Sequence, residues 1–180
     1  MLYKQIVTTL TCLGLLMLGA CQNIAMKPLP TVPHVDLPRF MGDWYVIANI
    51  PTFIEKGAHN AIESYRLDTD GTIAVTFTFR ADAFDGKPKQ YTPRGFVRDT
   101  KSNAIWDMQF IWPLKTDYRI SYLAPDYSQT IISREKRDYV WVMARTPSIS
   151  DTDYQQLLNT IREQGYDVTR VQKVPQQWKK

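Results

Sequence analysis

The chain is predicted to be all-β: an eight-stranded antiparallel up-and-down barrel with a C-terminal α-helix packed outside it. Three observations predict this. Thr72-Ile73-Ala74-Val75-Thr76-Phe77-Thr78-Phe79 alternates bulky residues with Thr or Ala, the period of two expected of a strand. Successive apolar runs are separated by short turn signals such as Asp68-Thr69-Asp70-Gly71 and Asp85-Gly86-Lys87-Pro88. Helical spacing appears only after Thr146-Pro147, in Tyr154, Leu157, Leu158 and Ile161.

The elements follow in order. Residues 43–50 are rich in aromatic and β-branched side chains, and 61–67 lead into the Asp-Gly turn before 72–79. Residues 90–99 form a weaker strand, because Pro93 and Gly95 within it imply a bend or bulge. Runs at 104–111, 118–123, 129–135 and 139–145 complete the set. Short connections suit a meander, and closing it removes two exposed edges. Ser150, with Asp153 three positions on, caps the helix and Gly165 ends it. A short strand over 167–174 is expected beside the barrel.

The N-terminus reads differently. Lys4 precedes an apolar run over 6–20, interrupted by Thr8, Thr9 and Thr11, that ends in Leu18-Gly19-Ala20-Cys21. This has the basic start, apolar middle and small-residue exit of a secretory signal, and it is short of the ~20 residues of a membrane span. The last four residues resemble a bacterial lipoprotein cleavage site, which implies that residues 1–20 are removed and that Cys21 carries lipid. Gln22 stands where such proteins retained at the inner membrane tend to have aspartate, so the address implied is the outer membrane, periplasmic face. Residues 21–35 read as the lipidated end and an extended linker containing Pro28, Pro30 and Pro33, able to span roughly 40 Å at about 3.1 Å per residue. Residues 36–180 form the domain.

The formal charge of +4 falls to +3 when Lys4 leaves with the signal, and Lys and Arg are interleaved with acids, as in Arg134-Glu135-Lys136-Arg137-Asp138. That pattern argues against nucleic acid as a partner. The chain has two cysteines. With Cys12 removed and Cys21 lipidated, none is left for a disulfide, so packing alone must hold the core. No cofactor and no metal site are expected: His34 and His59 lie apart, without ligand spacing.

Gly42-Asp43-Trp44 opens the first strand after Leu37-Pro38-Arg39-Phe40, and Arg145 closes the eighth in Trp141-Val142-Met143-Ala144-Arg145 just before the helix. In this order and spacing the chain resembles the lipocalins, and within them the bacterial outer-membrane lipoproteins and their apolipoprotein D-like relatives. The resemblance covers residues 36–174. It implies that Arg145 packs across the Trp44 indole at the closed end of the barrel, a structural plug with Gly42. The family's Thr-Asp-Tyr motif belongs to the turn between the sixth and seventh strands. Here that turn is Ala124-Pro125-Asp126-Tyr127, so its role passes to Asp126 and Tyr127, with Pro125 replacing the threonine. The literal Thr116-Asp117-Tyr118 is a chance match.

Alternation then assigns an interior. Val46 and Ala48 face inward on the first strand, Glu63 and Tyr65 on the second, and Ile73, Val75, Phe77 and Phe79 on the third. Trp106, Met108 and Phe110 follow on the fifth, Tyr118, Ile120 and Tyr122 on the sixth, Ile132 on the seventh, and Tyr139, Trp141 and Met143 on the eighth. The result is an aromatic calyx with an anomalous carboxylate, Glu63. Loops 51–60, 82–89 and 112–115 frame its mouth and carry Phe53, Ile54, Phe84, Trp112 and Leu114. The function implied is noncovalent binding, storage or transport of a lipid or other small hydrophobic ligand, fatty acids or lysophospholipids such as palmitate derivatives, with a homodimer compatible with the sequence. Two other readings stay open: an envelope scaffold whose barrel is filled by its own aromatics, and a barrel enzyme, for which no nucleophile motif is present.

Overall fold

A computed structural model describes residues 27–178. The signal segment and Cys21 therefore lie outside the described residues. A short helix α1 (Leu37–Phe40), capped by the Asp36 side chain on the Arg39 N–H, leads into β1 (Gly42–Ile50). There follow β2 (Ala58–Leu67), β3 (Thr72–Ala81), β4 (Pro88–Tyr91), β5 (Arg94–Val97), β6 (Ile105–Ile111), β7 (Leu114–Leu123), β8 (Gln129–Ser133) and β9 (Val140–Ala144). Neighbouring strands pair antiparallel in the order β1-β2-β3-β5-β6-β7-β8-β9, with β4 also on β3, and β9 returns to β1 to close the barrel. β4 and β5 are two halves of one barrel strand, so the closed sheet has eight strands among the described residues.

The split in the fourth strand has a local cause. Pro93 offers no N–H, and its carbonyl instead accepts the Val75 N–H at 3.1 Å. Gly95 lets the chain press close to the barrel, since a Cβ there would stand 3.4 Å from Ile73 and 3.5 Å from Trp106. What the sequence reads as one bent strand is thus two short ones at a corner. The expected final strand over 167–174 is likewise reduced, to a 3₁₀ turn (Val168–Arg170) and the two-residue β10 (Gln172–Lys173) on the edge of β1.

The helix α2 (Asp151–Glu163) has Ser150 at its N-cap, accepting from the Asp153 N–H at 3.1 Å and donating back to its carboxylate at 2.8 Å. It ends in a Schellman arrangement around Gly165, whose φ of +88° suits glycine, with Tyr166 N–H on the Ile161 carbonyl and Gly165 N–H on that of Arg162. Its buried stripe, Tyr154, Leu157 and Ile161, packs on outward-facing Ile131, Val140 and Val142. A second cluster, around Trp44, Trp106 and Ile120, lies inside the barrel.

Two residues expected inside are not. Ala48 belongs to the outer cluster under α2, because a register shift between Val46 and Ala48 inserts Ile47 as an extra residue and reverses the alternation beyond it. A similar shift between Ile120 and Tyr122 turns Tyr122 outward onto the same cluster. The tether is also shorter than expected. Leu29 and Val35 are buried, the Val32 N–H donates to the Ile120 carbonyl at 3.1 Å and the Leu29 N–H reaches the Glu135 carboxylate at 3.2 Å. Apolar residues among the prolines therefore strap this segment to the barrel wall before the domain proper begins.

Candidate functional site

The barrel has unlike ends. At the closed end the Arg145 guanidinium lies 3.8 Å over the Trp44 ring and donates to the carbonyls of Asp43 at 2.8 Å, Arg39 at 3.0 Å and Phe40 at 2.9 Å. The Trp44 indole N–H donates to the Phe40 carbonyl at 2.9 Å. Gly42, at φ +91°, leaves room for the guanidinium, since a Cβ would stand 3.4 Å from it. The neighbouring turn is held by Asp126, which accepts from the Ser128 N–H at 3.0 Å, while the Tyr127 hydroxyl takes the Asp36 N–H at 2.9 Å. Arg39 covers the Tyr127 ring at 4.2 Å, tying this turn to α1. Asp117, from the literal Thr-Asp-Tyr string, instead sits among Arg98, Arg119 and the Glu135 N–H.

Above the plug, Val46, Tyr65, Trp106, Ile120 and Ile132 fill the lower barrel with side chains. Trp106 stacks on Tyr118 with centroids 5.1 Å apart, and Tyr118 forms the floor of what lies above. That is a cavity of about 660 Å³, opening at the far end. Its walls bring together the predicted Glu63, Val75, Phe77, Met108, Phe110, Tyr118, Tyr139 and Trp141. Phe79 is inward but packs against Phe77 and Tyr91 and does not reach the cavity wall. Ala48 lies behind the wall. A wider groove of about 1180 Å³ runs outside the barrel between Arg80, Phe84, Asp85 and Trp178; it is an open surface trough with charged rims.

Sequence reasoning missed Glu55, Tyr91, Thr116 and Arg134, all of which line the cavity. Thr116 and Arg134 were legible, each two residues along an inward row from Tyr118 and Ile132. Glu55 was not, because a glutamate in a mouth loop ordinarily points to water. Here it is buried: its carboxylate accepts from the Thr52 N–H at 2.8 Å, the Thr52 hydroxyl at 2.6 Å and the Trp141 indole at 2.7 Å, so the loop folds around it.

Glu63 has no such set of donors. The Tyr65 hydroxyl donates to it, and Tyr65 and Tyr118 share a hydrogen bond at 2.7 Å. Burial drives its pKa from 4.5 up to about 7; the Tyr65 hydrogen bond opposes this and the charge of Glu55 adds to it. Burial also holds both phenols well above their usual range. Glu63 is half-buried and lines the cavity. Among the described residues lining that cavity, Arg134 is the one cation; it follows β8 at the open end and is largely buried, its guanidinium 5.3 Å from the Tyr139 ring centroid and 3.4 Å from Asp138. The mouth is edged by exposed Phe53, Ile111, Trp112 and Leu114, whereas Phe84, expected there, lies edge-on to His59 and lines the outer groove.

Residues 35–176 match the family described as "Lipocalin-like domain". The chain belongs to the lipocalins. It is 31% identical over 159 residues to temperature-induced lipocalin-1 of Arabidopsis thaliana, covering 83% of this chain and 84% of that one. It is 27% identical over 145 residues to the outer membrane lipoprotein Blc of Escherichia coli (strain K12), covering 80% and 81%, and 26% identical over 173 residues to mouse apolipoprotein D, covering 89% of each. Among solved structures, insecticyanin from the tobacco hornworm superposes with a TM-score of 0.63 at 15% identity, covering 82% of this chain and 84% of the other. Lobster apocrustacyanin A1 superposes at 0.61 and 14%, covering 84% and 92%. At those identities the structural likeness concerns the barrel itself.

Proposed function

We propose that this lipocalin carries single-tailed lipids, fatty acids or lysophospholipids, and that it is anchored through Cys21 to the periplasmic face of a bacterial outer membrane. One observation carries the ligand reading: a cavity of about 660 Å³ walled by Val75, Phe77, Met108 and Trp141 and open at one end. It lies within the range of roughly 300–1,000 Å³ typical of small-molecule sites. Burying about ten methylenes there at ~0.8 kcal/mol each gives ~8 kcal/mol, the scale of a micromolar complex. The anchor reading draws on the Leu18-Gly19-Ala20-Cys21 sequence and on the likeness to the outer membrane lipoprotein Blc.

The distribution of charge supports a tail-first pose. Glu63 lines the cavity beside Tyr118 without a basic neighbour, whereas Arg134, the cation of the lining, follows β8 at the open end. An anionic headgroup is therefore repelled from the floor and drawn to the mouth, and the tail occupies the floor while Glu63 is protonated.

The test is displacement of an environment-sensitive apolar probe from purified protein by palmitate and by a lysophospholipid. Both should displace it, and Phe77→Ala should change their affinities by several fold because that ring forms the wall. Absence of probe binding by the parent protein overturns the carrier reading. For the anchor, Cys21→Ser should abolish acylation, leaving the protein soluble or as an uncleaved precursor. A processed, firmly membrane-bound variant would show that Cys21 is not the tether.

A further inference from the structure

We propose that the mouth of the barrel faces and touches the membrane that anchors the protein, so that cargo passes between bilayer and calyx without crossing water. This rests on the Cys21 anchor, and it follows from where the strapped N-terminal segment leaves the barrel. The loop joining β8 to β9 lies at the open end, since Arg134 and Tyr139 line the cavity and Val140 pairs with Ile50 at the far end of β1. The chain is fastened beside this loop. The Lys27 carbonyl accepts from Arg137 at 2.6 Å and the Leu29 N–H donates to Glu135. From there it descends past Ile120 on β7 and reaches the closed end at Val35, whose N–H donates to the Ser102 carbonyl at 2.7 Å.

The tether thus departs at the mouth, and its length restricts the orientation. Between Cys21 and Lys27 an extended chain covers at most about 20 Å. A ten-residue strand such as β7 is about 33 Å long and, tilted by about 40°, gives a barrel about 25 Å tall. With the closed end on the membrane, Lys27 would stand about 25 Å above it, beyond the reach of the tether. With the mouth on the membrane it is within easy reach.

The rim is built for that contact. Trp112 is 82% exposed, Ile111 70% and Leu114 67%, at a hairpin tip that projects beside the cavity, and Phe53 at 83% flanks it from the β1–β2 loop. Single exposed apolar residues are ordinary, but four grouped around the opening of an apolar cavity form a lip. Lys56 on the β1–β2 loop and Lys136 beside the strap suit a lipid headgroup layer. The occupant inferred is the bilayer surface.

The experiment uses the full-length, lipidated protein in vesicles of phosphatidylethanolamine and phosphatidylglycerol, with an environment-sensitive fluorophore on Leu114→Cys at the lip or on Thr69→Cys at the closed-end turn. Mass spectrometry of the N-terminal peptide first establishes acylation. The lip label should shift to the blue and be quenched by spin-labelled lipid, while the closed-end label stays in water. Adding Trp112→Asp to the lip-labelled protein should reduce that quenching by about tenfold and slow lipid extraction from vesicles, while leaving palmitate affinity in solution within about twofold. Missing acylation would overturn the anchor. An acylated protein with a water-exposed lip label, or with both labels quenched alike, would overturn the orientation. Lip protection that depends on protein concentration and not on lipid would overturn it in favour of a second copy of this chain.

Discussion

The two ends of this barrel are made from the same strands and serve opposite purposes. At the closed end every inward side chain meets another: Phe40 packs on Trp44 with centroids 5.0 Å apart, Trp106 lies edge-on to Phe40 at 5.6 Å, and Arg145 seals the row with three carbonyls. At the open end the inward row continues through Val75, Phe77 and Met108, but these side chains face a void, and the rim exposes aromatics to solvent. Packing is concentrated at the plug, and an unfilled apolar interior above it is tolerated because the other half of the barrel holds the strands in register.

The sharpest way to break that comparison is at the plug. Trp44 is fully buried, so Trp44→Ala should cost about 3–5 kcal/mol in denaturant unfolding through cavity creation and loss of its cap on Phe40. Whatever still folds should retain palmitate affinity. Loss of binding at unchanged stability would place Trp44 in the site and dissolve the division between the ends.

Glu63 supplies the next largest effect, and of the opposite sign. Its folded pKa of about 7 exceeds the ordinary 4.5, so between those values the folded state holds more proton than the unfolded chain. Stability therefore falls as pH rises from 4.5 to 7 and is constant in this respect outside that window. The gap corresponds to at most about 3 kcal/mol. Glu63→Gln keeps an acceptor for Tyr65 and removes the titration, so it should match the parent near pH 4 and exceed it by up to about 3 kcal/mol at pH 8. Equal stability at both values would show that Glu63 is solvated and that the calyx floor carries no electrostatic strain.

Arg145→Ala comes third. The guanidinium is partly exposed, so the lost hydrogen bonds and ring contact are screened, and the Phe40 carbonyl keeps its bond from Trp44. A loss of about 1–2 kcal/mol is expected by thermal or denaturant unfolding, again with ligand affinity unchanged. A loss as large as that of Trp44→Ala would mean that the cation, not the indole, organises the plug.

Most of the fold was legible because strand alternation and turn chemistry are local. The row Ile73, Val75, Phe77 and Phe79 could be read from β3 alone, as could the cap at Ser150 and the stop at Gly165. What was not legible depended on irregularities of pairing. The bulge at Ile47 places Ala48 outside and the one near Ser121 does the same for Tyr122, yet neither site carries a Gly or Pro to announce it. The proline-containing segment read as a free linker because its few apolar residues show no period; only the barrel wall reveals what Leu29 and Val35 are for. Within the site, the aromatic walls followed from alternation, whereas the inward turn of Glu55 was set by three donors that come together only in the folded loop.

The smallest expected effect lies at the lip, and it tests whether the open end contributes to folding at all. Phe53 has the size of a core residue and sits in the loop that borders the cavity, yet it is 83% exposed. The loop does not depend on it. Glu55 holds the Thr52 N–H and hydroxyl and the Trp141 indole, and the backbone closes from Glu55 N–H to Thr52 and from Ala58 N–H to Glu55 at 3.2 and 3.0 Å. Phe53→Ser should therefore shift unfolding by less than about 0.5 kcal/mol, against the 3 kcal/mol or more expected for a buried aromatic. The control is Glu55→Ala, which removes the anchor and leaves Phe53 in place. It should loosen the loop, seen as faster amide exchange at Thr52 and Ala58, because the Trp141 indole and Thr52 donors lose their acceptor. If Phe53→Ser instead costs more than about 1 kcal/mol, the ring is packed in solution, the mouth is partly closed by its own side chains, and the two ends of the barrel are more alike than their exposures imply.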